Sequence, residues 1–159
     1  MVKRILRTLI VIGILLTGIL IVRVVLYSEE DALRGLLRKV EVSLEKEDTK
    51  GFMECISLEF SSPKFGINYY LLGRLLDNLF RDWQEIKVKI VVKDLQINGQ
   101  EAKVSLEVTA SAKEQRSGEK VGLYNEPGIL HLKKDLGKWK IVEVDMERGE
   151  DWQSWRGLP

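Results

Sequence analysis

The sequence predicts an α+β domain that follows one long apolar helix at the N-terminus. The predominantly apolar run from Thr8 to Tyr27 contains one charge, Arg23, and no proline. Between residues 29 and 83 the apolar side chains recur at the three- and four-residue spacing of helices, and after Trp83 they alternate as in strands. We therefore expect three parts: a basic stub and transmembrane anchor at 1–27, an α+β domain at 28–146 and a tail at 147–159.

The apolar run has the length of a membrane span. Twenty residues at a helical rise of about 1.5 Å cover about 30 Å, the thickness of a hydrocarbon core. No small-residue cleavage pattern follows the run, which favours an uncleaved anchor over a signal peptide. Basic residues precede the run and acidic residues follow it: Lys3, Arg4 and Arg7 before, Glu29, Glu30 and Asp31 after. The positive-inside rule then predicts a single-pass protein of the cell membrane, with a cytoplasmic N-terminus and an extracytoplasmic domain.

Composition limits the function of the domain. Hydrophobic residues make up 45% of the chain and charged residues 31%, which is a globular balance. After residue 27 the chain carries 21 basic and 24 acidic residues, and this mildly acidic balance gives no electrostatic reason to bind nucleic acid. Cys55 is the only cysteine, so no internal disulfide is possible, and a buried thiol is the simplest interpretation.

Three helices are expected first. Ser28 can cap a helix over residues 29–46, because a hydroxyl followed by acidic residues is typical of a helix start. Asp48 can cap a second, shorter helix whose apolar residues are Phe52, Met53, Ile56 and Leu58. A third helix is predicted over residues 67–83.

Four antiparallel strands are expected next, over residues 86–92, 103–110, 129–133 and 138–144. Asn98-Gly99 is a strong hairpin signal, and residues 135–137 form a second turn. Residues 113–120 are predicted to be a loop. Because each strand alternates apolar and polar residues, the sheet has one apolar face, and the three helices are expected to cover it.

Short helices followed by a meander that ends Gly137-Lys138-Trp139-Lys140-Ile141 resemble the nuclear transport factor 2-like superfamily, also called SnoaL-like. The resemblance covers about residues 29–146. It implies a curved sheet and helices that form a cone, whose interior holds a small apolar ligand, an active site or only side chains. It also implies relatives of two kinds: enzymes that use Asp, Tyr or His inside the cone, and non-catalytic domains on one membrane helix. No motif transfers a functional residue from them.

Four residues of the third helix and its end are possible pocket-lining residues: Tyr69, Tyr70, Asp77 and Trp83. The alternative for the aromatic residues is ordinary core packing. For Asp77 the alternative is a surface charge three residues from Arg74. His131 is flanked by leucines and lysines and is expected on the polar face of its strand as a surface or rim residue, with a general base as the alternative. A metal site is not expected there, and no cofactor is expected.

The tail contains a possible partner-binding group, Trp152, Trp155 and Arg156. Exposed tryptophans beside arginine are typical of binding hot spots. Packing of the tail on the domain and contact with the membrane interface are the alternatives.

The sequence alone leads us to expect a membrane-tethered interaction or scaffold domain, not an enzyme, that binds a protein partner or a second copy of itself. The first alternative is a domain that binds a small apolar ligand inside the cone. The second is a lyase or isomerase that uses an acid there.

Overall fold

A computed structural model describes residues 28–146. The chain divides into two units, residues 1–34 and 35–159. The predicted anchor within 1–27 and the predicted tail at 147–159 lie outside the described residues. Among residues 28–146, no helix is both long enough and apolar enough to cross a bilayer.

Three helices and six strands make up the described chain. The helices are α1 (residues 28–45), α2 (Thr49–Met53) and α3 (Tyr69–Asp82). The strands are β1 (Ile56–Ser62), β2 (Ile67–Asn68), β3 (Trp83–Asn98), β4 (Glu101–Glu114), β5 (Lys120–Asp135) and β6 (Lys138–Met146). The α+β prediction is confirmed at this level.

Side-chain caps begin the two shorter helices. The Asp48 carboxylate accepts a hydrogen bond from the Gly51 N–H at 2.9 Å, as the sequence predicts for α2. The Asn68 side chain accepts one from the Leu71 N–H at 2.9 Å and starts α3. The strand β3 follows α3 without a loop, because Trp83 is already extended, with φ −126° and ψ 145°.

The sheet is mixed, and the expectation of a purely antiparallel, four-stranded sheet is wrong. Its strand order is β2-β1-β6-β5-β4-β3. The pairs from β3 to β6 are antiparallel, whereas β1 lies parallel to β6, with Ile56 opposite Ile141. The added strand gives β6 a partner along an edge that would otherwise leave backbone groups unpaired.

The predicted second helix is too long, and this error hides β1. Helix α2 ends at Met53, and Ile56, Leu58 and Phe60 belong to a strand. Phe52, Ile56 and Phe60 recur every four residues, a spacing that fits a helix and, for the last two, a strand as well. The parallel pairing with β6 favours the strand over the helix, and in this strand Leu58 is 75% exposed.

The long strands extend further than the alternation predicts. Strands β4 and β5 reach Glu114 and Lys120, so the predicted loop at 113–120 shrinks to a short connection. The predicted hairpin at Asn98-Gly99 is confirmed, since Asn98 pairs with Glu101 and Gly99 has φ +61°.

The core of residues 35–146 lies on the inner face of the sheet. Val104 and Leu132 are among its fully buried side chains. The other buried apolar residues of this unit are Leu37, Val40, Cys55, Ile56, Phe60, Leu76, Ile86, Ala102, Leu106, Leu130, Trp139 and Ile141. The apolar residues that alternate along β4, β5 and β6 therefore face inward together, as expected.

The outer edge of β3 is covered by carboxylates of α1. The Glu41 side chain accepts a hydrogen bond from the Ile90 N–H at 2.5 Å, and the Glu45 side chain accepts one from the Val88 N–H at 3.3 Å. A strand at the end of a sheet has N–H groups without strand partners, and these two acceptors satisfy a pair of them.

We predict that Glu41→Ala lowers the free energy of unfolding by about 1–2 kcal/mol, because it removes a charged acceptor from a partly buried N–H. Urea unfolding of the full chain measures the change. Glu41→Gln keeps an acceptor oxygen and is expected to lose less. Equal losses for both variants would show that the bond to Ile90 is not what stabilises this edge.

The turn between β5 and β6 contains a strained leucine. Leu136 has φ +47° and Gly137 has φ +77°, the two positive values of a type I′ hairpin turn. A left-handed conformation costs an ordinary residue roughly 1–2 kcal/mol, whereas asparagine adopts it more readily. Leu136 is 96% exposed, so the side chain contributes little by burial.

We predict that Leu136→Asn raises the free energy of unfolding by about 0.5–1 kcal/mol. The midpoint of a urea titration should move upward with an unchanged slope. Leu136→Ala is the matched control, because alanine keeps the Cβ and therefore the strain. If asparagine is no more stabilising than alanine, the backbone at this turn is not the source of the strain.

Candidate functional site

A cavity of about 260 Å³ lies between the sheet and the helices of the second unit. We call it the phenylalanine cavity, because Phe52, Phe60 and Phe65 all line it. Its remaining lining residues are Val40, Leu44, Ser62, Ile67, Leu72, Val88, Ile90, Leu106, Val108, Leu130, Ile141, Val144 and Met146. The wall thus comes from all three helices and from every strand of the sheet.

A second cavity, of about 250 Å³, lies beside Trp83. We call it the tryptophan cavity. Its lining residues are Leu44, Leu79, Trp83, Ile86, Val88, Val108, Ala110, Ser111, Ala112, Val121 and Gly122. Both cavities are partly open, and their surfaces are almost wholly apolar.

Leu44, Val88 and Val108 line both cavities. Val88 and Val108 lie on the paired strands β3 and β4, where Val88 is opposite Ala110 and Val108 is opposite Ile90. Leu44 approaches from α1. These three side chains form a shared wall, and a bulkier residue there would reduce both spaces together.

Irregular strands and small residues create the tryptophan cavity. The pairing of β3 with β4 shifts between Gln84 and Lys87, where Glu85 has φ +53°, and the pairing of β4 with β5 shifts between Val108 and Ala110. Such bulges bend strands and are common at the rims of barrels. Ala110, Ala112 and Gly122 lie beside these irregularities, and their side chains are too small to fill the space next to Trp83.

Met146 reaches the phenylalanine cavity across a glycine. Gly128 is paired with Met146, and a Cβ at position 128 would stand 2.5 Å from the Met146 sulfur. The absence of a side chain at Gly128 therefore lets the thioether lie flat against β5 and line the cavity.

Polar side chains are rare in both walls. In the phenylalanine cavity the polar member is Ser62, which is 3% exposed and donates its hydroxyl proton to the Val144 carbonyl oxygen at 3.1 Å. In the tryptophan cavity the side chains with polar atoms are Ser111 and Trp83, whose indole carries an N–H group. No Asp, Glu, His, Lys, Arg, Tyr or Cys occurs among the described lining residues of either cavity.

The perturbed titratable groups lie elsewhere. A hydrogen bond of 2.7 Å between Lys39 and Glu54 raises the pKa of the lysine and lowers the pKa of the carboxyl. Burial raises the pKa of the Cys55 thiol, whose sulfur donates to the Gly51 carbonyl at 3.6 Å. Cys55 is 1% exposed, so the interpretation as a buried thiol is confirmed.

Of the four residues predicted to line a pocket, Trp83 lies in a cavity wall. Tyr69 and Tyr70 meet edge to face, with ring centroids 5.6 Å apart, and Tyr70 is 75% exposed. Asp77 is exposed and accepts a hydrogen bond from the Thr49 hydroxyl at 2.7 Å. Neither cavity wall described above contains Tyr69, Tyr70 or Asp77, so the structure does not bring the four together.

The remaining candidates from the sequence are His131 and the tail residues. His131 is half-buried between the buried Leu130 and Leu132, opposite Lys103 and Glu143. Over residues 28–146, no group of three His, Cys, Asp or Glu side chains is placed to hold a metal ion. Trp152, Trp155 and Arg156 lie outside the described part of the chain.

The sequence did not point to the phenylalanine cavity. Because residues 52–58 were interpreted as a helix, the strand that contains Phe60 and Ser62 was not predicted. Met146 lies just beyond the end of the last predicted strand. A signal was available only for the tryptophan cavity: the small residues Ala110 and Ala112 stand at alternate positions of β4, where larger apolar residues precede them.

Several solved proteins have a similar fold. A proposed scytalone dehydratase from Novosphingobium aromaticivorans DSM 12444 is 15% identical, with a TM-score of 0.68 over 77% of this chain and 86% of that one. A nuclear transport factor 2-like superfamily protein from Salmonella enterica serovar Typhimurium LT2 is 12% identical, with a TM-score of 0.67 over 83% and 99%. A type 2 hexachlorocyclohexane dehydrochlorinase is 10% identical, with a TM-score of 0.65 over 77% and 87%.

At these identities the likeness shows the fold alone. No protein-family model matches the sequence, and no curated protein matches it significantly. The second unit thus has an α+β fold similar to that of solved nuclear transport factor 2-like proteins, and two apolar cavities lie inside it.

The expectation that this protein is not an enzyme is corrected by these comparisons. It rested on the absence of a catalytic motif, yet the proteins of similar fold include one named as a dehydrochlorinase and one as a proposed dehydratase. One fold can host many unrelated functions, so the absence of a motif does not decide whether this domain is catalytic.

Proposed function

We propose that the domain binds a small apolar molecule inside its cone. The observation that carries the proposal is the pair of adjacent cavities, each about 250–260 Å³, with walls of aliphatic and aromatic side chains. A cavity of about 150 Å³ with a similar lining is enough to bind benzene. Each space therefore suits a molecule with one or two rings, or a short hydrocarbon chain.

The expected affinity follows from the area buried. A ring the size of a phenylalanine side chain removes about 150 Å² or more of apolar surface from water, which at about 25 cal/mol per Å² is about 4 kcal/mol. Losses of rotational and translational freedom oppose this gain, whereas contacts with a preformed wall add to it. Binding of single-ring compounds is expected in the range of about 10 µM to 1 mM.

Ligand-dependent stability is the direct test. The full chain in lipid nanodiscs, which avoid free detergent as a competitor, is heated with toluene, naphthalene or, as a polar control, glucose. Toluene and naphthalene should raise the melting temperature progressively with concentration, and glucose should not at the same concentrations. Isothermal titration calorimetry then measures the affinity. If neither hydrocarbon raises the melting temperature or releases heat on titration, the proposal fails.

We further propose that residues 8–27 tether the domain to a membrane, with the domain on the extracytoplasmic side. Support comes from the length and composition of the run and from the charges on either side of it. A membrane is also a reservoir of apolar molecules that water dissolves poorly. The chain should stay in the membrane pellet after alkaline carbonate washing, and Leu15→Asp with Leu16→Asp should release it. A protein that washes off without substitution would refute the tether.

Association with a protein partner or a second copy is a separate proposal, based on Trp152, Trp155 and Arg156. Tryptophan and arginine are the residue types that most often dominate binding energies at interfaces. Cross-linking of the full chain and of the Trp152→Ala, Trp155→Ala double variant compares their assemblies. An unchanged pattern of cross-linked species would remove the tail as a docking element.

A further inference from the structure

The two cavities are close neighbours. Leu44, Val88 and Val108 line both of them, so each of these side chains borders the phenylalanine cavity and the tryptophan cavity at once. The three residues come from three different elements, α1, β3 and β4. At these positions one layer of side chains is all that lies between the two spaces.

Helix α3 borders both cavities as well. Leu72 lines the phenylalanine cavity, and Leu79 lines the tryptophan cavity. These two leucines lie on the same face of the helix, about 10 Å apart along its axis. Leu75 stands between them on that face and is 42% exposed, while Leu79 is 37% exposed. The helix therefore gives the two cavities a continuous apolar edge that the surrounding protein covers only in part.

The volumes set the size of a ligand that fills both cavities. A cavity of about 150 Å³ that binds benzene provides about 25 Å³ for each carbon atom. At that ratio the phenylalanine cavity, of about 260 Å³, holds about ten carbons, and the two cavities together hold about twenty. An extended chain advances about 1.3 Å per carbon, so about eight carbons reach from Leu72 to Leu79. The remaining carbons extend into the two ends.

The shape and polarity of this space favour an alkyl chain. A molecule that occupies both cavities has to pass Leu44, Val88 and Val108, and a chain of single bonds adapts to projecting side chains more readily than a rigid fused ring. The described walls are almost wholly apolar, so methylene groups lose no hydrogen bond against them. A polar group at the end of the chain stays at an opening, where water solvates it.

We propose that the two cavities form one elongated site, which binds a single molecule with an unbranched alkyl chain of about 14–18 carbons, the class that includes fatty alcohols and fatty acids. This inference rests on the proposed function, since it names the ligand class of the same interior. One chain that lies along the apolar edge of α3 buries Leu75 and Leu79 and joins both spaces, whereas a single ring fills only one of them.

The number of bound molecules tests the proposal. The probes are photoreactive analogues of 1-octanol, whose chain fits within one cavity, and of 1-hexadecanol, whose chain exceeds one cavity. Each carries a diazirine at the end of its alkyl chain. The full chain in nanodiscs is illuminated with either probe, and its intact mass counts the attached molecules. Octanol should attach up to twice, once in each cavity, and hexadecanol only once.

Two variants each fill one cavity. Ala112→Phe blocks the tryptophan cavity, and Leu72→Trp blocks the phenylalanine cavity. Each should reduce hexadecanol labelling at least about tenfold, because every methylene group kept out of the site costs about fourfold in affinity. Both variants should still attach one octanol, which shows that they remain folded. Val91→Phe is the matched control, since Val91 belongs to neither described wall, and it should label like the unsubstituted chain. The bilayer takes up the probes equally in every sample.

The failures of the two proposals are distinguishable. If hexadecanol attaches twice, or if either blocking variant leaves its labelling unchanged, each cavity binds its own ligand and the single elongated site is overturned. The same holds if toluene binds and hexadecanol does not. A blocking variant that also loses octanol is replaced by the milder Ala112→Val or Leu72→Phe, for which the same outcomes decide. If neither toluene nor either alcohol binds the unsubstituted chain, the proposed function falls, and the inference falls with it.

Discussion

Leu132→Ala is expected to lower the free energy of unfolding by about 2–5 kcal/mol. Leu132 is 2% exposed on β5, between its partners Ala102 on β4 and Ile141 on β6. The loss has two parts: the transfer of the deleted methyl groups from the core, and the void that their removal leaves. The neighbours are held by strand pairing on both sides, so they have little freedom to collapse into the void.

Urea unfolding of the full chain measures this change, and Leu136→Ala is the matched control. The same substitution is made four residues away, in the turn, where the leucine is 96% exposed. The control should change the free energy of unfolding by no more than about 0.5 kcal/mol. Comparable losses at both positions would contradict the assignment of Leu132 to the core.

Val108→Phe is expected to reduce the affinity for toluene at least about tenfold, with little loss of stability. Val108 belongs to the wall shared by the two cavities, so a benzyl group in place of the isopropyl group enters space that a ligand would otherwise occupy. Filling an existing void costs less than inserting a ring into a closely packed core, and it can raise stability by about 0.5–2 kcal/mol.

Calorimetry with toluene and urea unfolding of the same sample measure both effects of Val108→Phe. Val91→Phe is the matched control, because Val91 lies on the adjacent strand β3, is 38% exposed and is absent from both cavity walls described above. The control should bind toluene normally. Unchanged binding in Val108→Phe, or equal loss in both variants, would show that the ligand does not occupy the space beside Val108.

The two predictions depend on opposite properties of one interior. Around Leu132 and Val104 the inner face of the sheet is closely packed, so removing atoms is costly. Near Ala110 and Ala112 the strand pairing is irregular and a cavity remains, so we expect added atoms to be tolerated there. One part of the inner face is closely packed and another part borders the cavities. A domain with this arrangement can contain a preformed cavity and still keep a packed hydrophobic core.

The sequence by itself determined the α+β class, the start of α2, the first hairpin and the presence of the long strands, whereas it placed the start of α3 at residue 67, which belongs to β2. Asp48 caps α2, Asn98-Gly99 turns the first hairpin and the alternation after Trp83 marks the meander, because caps, turns and period-two patterns depend on residues close together in the chain. The buried thiol of Cys55 was likewise predictable from the residue type.

Only the tertiary structure decided where the interior is empty and which residues line it. Phe60 and Ser62 enter the site because β1 pairs with β6, which lies about 80 residues further along the chain. Asp77 and Tyr70, which helical spacing made candidates, face outward. A cavity is the space that side chains from distant parts of the sequence leave unfilled. Its volume depends on bulges, on strand register and on the positions of three helices, so it cannot be predicted from a local sequence pattern.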